Sequence, residues 1–112
     1  MKKLSSVKRL CTTARISSTE ENKFHKNVLE QQKKDRKKNK TYIINFLLSK
    51  FLEAPFKIRE KNSEHKKLVG FHLTVDNMKD LSSFLIDQRA LGEKTDIADV
   101  LETIIVRWNE NE

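Results

Sequence analysis

The chain has 112 residues, 35% of them charged and 37% hydrophobic, with two glycines, one proline and one cysteine. That composition excludes a disulfide-built scaffold, a turn-rich β-sandwich and a disordered chain, and it leaves room for one compact domain or two very small intertwined ones. The net charge of +7 is unevenly held: residues 1–67 carry 19 Lys and Arg against 7 Asp and Glu, and residues 68–112 carry 4 against 9, so a first part at +12 is joined to a second at −5.

In chain order, residues 1–10 form a basic arm with Lys2, Lys3, Lys8 and Arg9. The lysine and arginine interrupt any apolar run, so this is not a signal peptide. The lone Cys11 has no partner for an internal disulfide, which points to a reducing cytoplasm. Thr12–Ser17 is a candidate strand with Ala14 and Ile16 on one face and Thr13, Arg15 and Ser17 on the other. A slip of one residue would expose Thr12, Ala14 and Ile16 instead, against the apolar character of Ile16. Ser18 and Glu21 have the spacing of a capping box. They open a helix with a thin apolar stripe of Phe24, Val28 and Leu29.

Residues 31–39 are almost wholly polar, and the run from Lys33 to Lys40 is the most basic in the chain. Thr41 is placed to cap a second helix with Ile43, Ile44, Leu47, Leu48, Phe51 and Leu52 apolar, stopped by Pro55. Its apolar-rich stretch, Tyr42–Leu52, falls well short of the ~20 residues needed to span a bilayer. Phe56–Lys67 is a charged linker.

Beyond the linker, Leu68–Val75 alternates around Phe71, Leu73 and Val75 and turns Gly70, His72 and Thr74 to the other face. Asp76 is a candidate N-cap for a helix carrying Met78, Leu81, Phe84, Leu85 and Leu91, which Gly92 ends through the left-handed conformation glycine tolerates. Thr95 is the candidate cap of the last helix. There Ile97, Val100, Leu101, Ile104, Ile105 and Trp108 make a full apolar stripe.

Strand, capped helix, break and capped helix thus occur twice, in residues 11–55 and 68–112. Lys40-Thr41 falls on Lys94-Thr95, while the strands and first helices match at a spacing three residues larger. One such unit is too small to bury its stripe and leaves its strand with two free edges. Two units together pair their strands antiparallel and close four helices over the apolar face.

This order resembles the ribbon-helix-helix, or Arc/MetJ, superfamily. The resemblance is carried by His72-Leu73-Thr74, Asp76, Gly92 and Thr95 at the head of an apolar helix. Two units in one chain, with the run Lys94-Thr95-Asp96 and Ala98-Asp99-Val100, are similar to the TraY branch of conjugation accessory proteins. The resemblance implies a mainly α fold with a two-stranded antiparallel β-ribbon, the tandem units forming one pseudo-dimeric domain. It implies base reading in double-stranded DNA by Thr13, Arg15, Ser17, Gly70, His72 and Thr74. It also implies phosphate contacts at the second helix of each unit, through Lys40 and Thr41 and through Lys94 and Thr95, with Lys37 and Lys38 beside the first.

The expected function is a cytoplasmic, sequence-specific DNA-binding protein. As a relaxosome accessory at a plasmid transfer origin, it would partner a relaxase and repress its own promoter. The alternatives are a transcriptional repressor or an antitoxin of the same fold, or a helical protein-interaction module that leaves DNA aside. Intrachain pairing predicts a monomer that assembles further on DNA. His25, His65 and His72 share no metal- or nucleophile-forming spacing with Cys11 or with paired carboxylates, and there is no glycine-rich phosphate loop. No enzyme, metal or cofactor is therefore expected.

Overall fold

The computed structural model of the chain describes residues 9–60 and 63–111. The basic arm with Lys2, Lys3 and Lys8 lies outside the described residues. Six elements follow one another: β1 (Arg9–Ser17), α1 (Ser18–Lys34), α2 (Lys40–Glu53), β2 (Lys66–Thr74), α3 (Val75–Ala90) and α4 (Ile97–Glu110). The chain is mainly helical, and the one sheet among the described residues is an antiparallel ribbon of β1 and β2.

Side chains alternate across a strand, and burial assigns the two faces. Ala14 and Ile16 in β1 are buried with Val69, Phe71 and Leu73 in β2, which excludes the slipped register. Large and small residues alternate on this inner face: Thr12 lies opposite Phe71 and Ala14 opposite Val69. The helices close over it with Phe24 and Val28 from α1, Ile43, Ile44, Leu48 and Phe51 from α2, Leu81 and Leu85 from α3, and Val100, Leu101, Ile104 and Ile105 from α4. Each large side chain withdrawn from water contributes about 1.5–3 kcal/mol. Trp108 meets Phe24 edge-on with ring centroids 5.4 Å apart.

The segment between α2 and β2 is packed as well as connecting. Phe56 meets Phe51 edge-on at 5.0 Å, and the Arg107 guanidinium lies 4.1 Å from the centre of the Phe56 ring. The Arg59 backbone N–H donates to Thr103 Oγ1 at 2.8 Å.

The helix starts differ from the sequence expectations. Ser17, not Ser18, caps α1 by accepting from the Glu20 N–H, and Thr74, not Asp76, caps α3 by accepting from the Asn77 N–H. Each strand runs directly into its helix, so its last hydroxyl residue is already the cap. Asn39, not Thr41, caps α2. Asp96, not Thr95, caps α4, where Asp96 and Asp99 exchange a reciprocal capping box that Thr95 lacks. Val75 begins α3 rather than extending β2, and it is exposed. Leu29 and Leu91, placed in apolar stripes by spacing, are also exposed; Leu91 has already left the last turn of α3. Gly92 ends that helix as expected, with φ +86°.

Corrected caps change the internal match. Ser17 and Thr74 are 57 positions apart, and so are Asn39 and Asp96. The three-residue difference disappears: Lys40-Thr41 and Lys94-Thr95 are alike chemically but do not occupy matching places. At the constant spacing, buried positions coincide, Ile16 with Leu73, Phe24 with Leu81, Ile44 with Leu101 and Leu48 with Ile105.

A polar pair coincides too. Asn45 Oδ1 accepts the Thr74 N–H at 2.9 Å, and Glu102 Oε1, 57 positions on, accepts the Ser17 N–H at 2.7 Å. A side chain from the second helix of each half thereby fixes the strand-to-helix junction of the other.

Candidate nucleic-acid interface

Among the residues whose side chains are described, the outward face of the ribbon is built on three cross-strand pairs: Cys11 with His72, Thr13 with Gly70, and Arg15 with Leu68. All six residues are exposed. Of the six positions expected to face outward, Thr13, Arg15, Gly70 and His72 do so. Ser17 does not, being 1% exposed at the head of α1. Thr74 is half-buried as the cap of α3. The face is displaced by one pair toward the other ends of the strands, which brings in Cys11 and Leu68. Ser17 and Thr74 are withdrawn from this face because each caps the helix that follows its strand, and Ser18 with Glu21 offers the same spacing as Ser17 with Glu20, so spacing alone does not locate this boundary.

Arg15 is exposed and has no hydrogen-bond or ion-pair partner among the described residues, so its five donors have no acceptor there. Gly70 is at the centre of the ribbon. A Cβ added there would meet nothing within 4 Å, and the residue does not take a positive φ. Neither packing nor backbone conformation demands glycine at this position, and glycine inside a strand is destabilising. A bare centre does allow another body to approach the backbone closely.

The two flanks of the ribbon differ in charge. On one, Lys40 at the start of α2 donates from Nζ to the Gly70 carbonyl at 2.7 Å and lies over the Phe71 ring at 4.7 Å from its centre. Burial and, more weakly, Lys67 pull its ammonium below the usual lysine range, while Glu21 acts in the opposite sense. The N-terminus of α2 has a neutral cap, Asn39, and no acidic residue in its first turn. Lys37 and Lys38 are exposed just before it and Thr41 is half-buried. Unneutralised helix N–H groups and three lysines make this flank attractive to an anion.

On the other flank, Asp96 and Asp99 already neutralise the N-terminus of α4. Lys94 is exposed, but Thr95 is 8% exposed and is not positioned for a ligand. The expected phosphate residues thus gather at α2 and not at α4. The counterpart of Lys40 at the constant spacing is Ile97. It lines an open groove of about 640 Å³ with Arg15, Leu68, Leu85, Ile86 and Arg89.

Among the described residues, no group of three or more His, Cys, Asp and Glu side chains is placed to hold a metal ion, and no helix is long and apolar enough to cross a membrane. Compared with known protein families, curated proteins and solved structures, the chain has no significant match.

Proposed function

We propose that the chain is a tandem ribbon-helix-helix protein that binds double-stranded DNA by laying its β1–β2 ribbon in the major groove. The observation that carries this reading is the outward ribbon face. It is a two-stranded ribbon with an unpaired arginine and a bare glycine centre, flanked by a lysine-rich helix N-terminus. B-DNA's major groove admits such a ribbon, and a guanidinium pairs bidentately with guanine O6 and N7. Phosphates on the strand nearest α2 would be gripped by Lys37, Lys38, Lys40 and the helix end. The constant spacing of 57 and the reciprocal Asn45 and Glu102 junctions support two units paired within one chain. Following the resemblance to the TraY branch, the biological setting we propose is a relaxosome at a plasmid transfer origin, with a relaxase as protein partner and control of its own promoter.

The salt dependence of duplex binding tests the electrostatic part. Affinity for a mixed-sequence duplex is expected to fall steeply between low and moderate salt. Replacing Lys37 and Lys38 together by alanine lowers the log–log slope by about 1 for each phosphate no longer neutralised. A salt-insensitive affinity, or no duplex binding at low salt, would remove this reading in favour of the protein-interaction module.

Gly70→Ala separates folding from function. With open space around the new Cβ, the variant is expected to gain roughly 0.5–1 kcal/mol of stability in thermal unfolding. It is expected to bind duplex more weakly, because the methyl holds the ribbon away from the base edges. Improved stability with unchanged affinity would show that nothing approaches the ribbon centre.

A further inference from the structure

We infer that the ribbon recognises two unlike half-sites, and that its Arg15–Leu68 end takes a guanine with a thymine beside it, the thymine methyl packing on Leu68. This rests on the DNA-binding reading above and assigns the chemistry of the DNA that the site accepts.

Leu68 is 62% exposed, on the outward face, directly opposite Arg15. Directly opposed residues hold their Cβ atoms about 4.5–5.5 Å apart, against a base-pair rise of about 3.4 Å. The two side chains therefore address the same or adjacent base pairs. Arg15 offers a fork of donors, which guanine O6 and N7 match. Leu68 offers only an apolar surface, and the apolar group on the base edges of the major groove is the thymine 5-methyl.

Toward the opposite end the matching pair is Cys11 against His72, which has neither a guanidinium nor a branched aliphatic side chain, and beyond it Arg9 is in register with Thr74. At the spacing of 57 that relates the halves, Cys11 corresponds to Leu68, Thr13 to Gly70 and Arg15 to His72. None of these pairs is chemically alike, whereas the buried counterparts, Ile16 with Leu73 or Leu48 with Ile105, are. A palindrome needs equivalent side chains at its two ends, and these three outward pairs do not supply them. The flanks repeat the asymmetry, with lysines at α2 and carboxylates at α4.

The test is selection of bound duplexes from a randomised pool by the full chain, followed by replacement of each thymine in the selected duplex by uracil. The selected sequence is expected to be non-palindromic, with guanine and thymine together in one half. One uracil replacement in that half should lower affinity about 4-fold, the value of one buried methyl-sized group, and Leu68→Ala should bind the thymine and uracil duplexes equally. Because Leu68 is exposed and outside the core, this variant keeps its fold, checked by its unfolding midpoint. A palindromic consensus overturns the inference, as does indifference to every uracil or undiminished uracil sensitivity in Leu68→Ala; all three leave DNA binding itself intact. Failure to enrich any duplex overturns the DNA-binding reading and this inference with it.

Discussion

Replacing Glu102 by alanine is expected to lower the stability of the fold by about 3 kcal/mol, the lower end of the range for breaking a buried charge pair. Glu102 is buried in α4, where Oε1 accepts the Ser17 N–H at 2.7 Å and the carboxylate lies 3.3 Å from Lys66 Nζ and 3.4 Å from the Arg59 guanidinium. Alanine leaves a buried backbone donor unpaired, which alone costs about 1–3 kcal/mol. The two cations are a quarter or more exposed, so water screens much of what they lose. Glu102→Gln keeps an acceptor for Ser17 and should cost less than half as much, because Asn45 performs the same task at Thr74 without a charge. Denaturant unfolding of the three proteins measures both differences. Equal loss in the alanine and glutamine variants would assign the effect to charge and not to the Ser17 hydrogen bond.

Phe71→Ala is expected to cost about 3–5 kcal/mol, the range for deleting a buried aromatic side chain. Phe71 is 1% exposed on the inner ribbon face, with Thr12 opposite and Ala14 on the neighbouring pair. Both neighbours are small and held in a hydrogen-bonded strand, so the vacated volume cannot be filled by collapse. The Lys40 ammonium also loses the ring beneath it. Chemical denaturation should show a lowered midpoint with a similar slope. A loss below about 1 kcal/mol would mean that the inner face is not packed as described, since even modest cavities exceed that.

The sequence made the packing legible and left the boundaries obscure. Alternation around Phe71 and Leu73 located β2, and the stripe from Ile97 to Trp108 located α4, because burying many apolar side chains forces a period that few other patterns imitate. Gly92 showed itself for a similar reason, since its left-handed backbone is one that other residues adopt rarely.

Caps were harder. Ser17 and Ser18 are adjacent hydroxyl residues, as are Thr95 and Asp96 adjacent cap formers, and propensity alone does not choose between neighbours. The choice depends on tertiary contacts: the Ser17 N–H is taken by Glu102, 85 residues away. The same ambiguity displaced the outward face by one pair, so that Ser17 and Thr74 were expected where Cys11 and Leu68 stand. Leu68 shares the parity of Gly70, His72 and Thr74, which places it on the outward face, but its apolar side chain reads as core. The charge difference between residues 1–67 and 68–112 was visible at once, but its placement on two opposed flanks depends on the antiparallel ribbon.

Whether the ribbon reads DNA is decided by the binding of selected and random duplexes to the native chain and to Arg15→Ala at one moderate salt concentration. Arg15 is exposed and unpartnered among the described residues, so the variant should unfold at the native midpoint. Its affinity for the selected duplex is expected to fall by roughly 5- to 150-fold, equivalent to about 1–3 kcal/mol of base discrimination, while affinity for random duplex changes little. Unchanged affinity and unchanged preference in a fully folded Arg15→Ala protein would contradict reading of DNA by the ribbon.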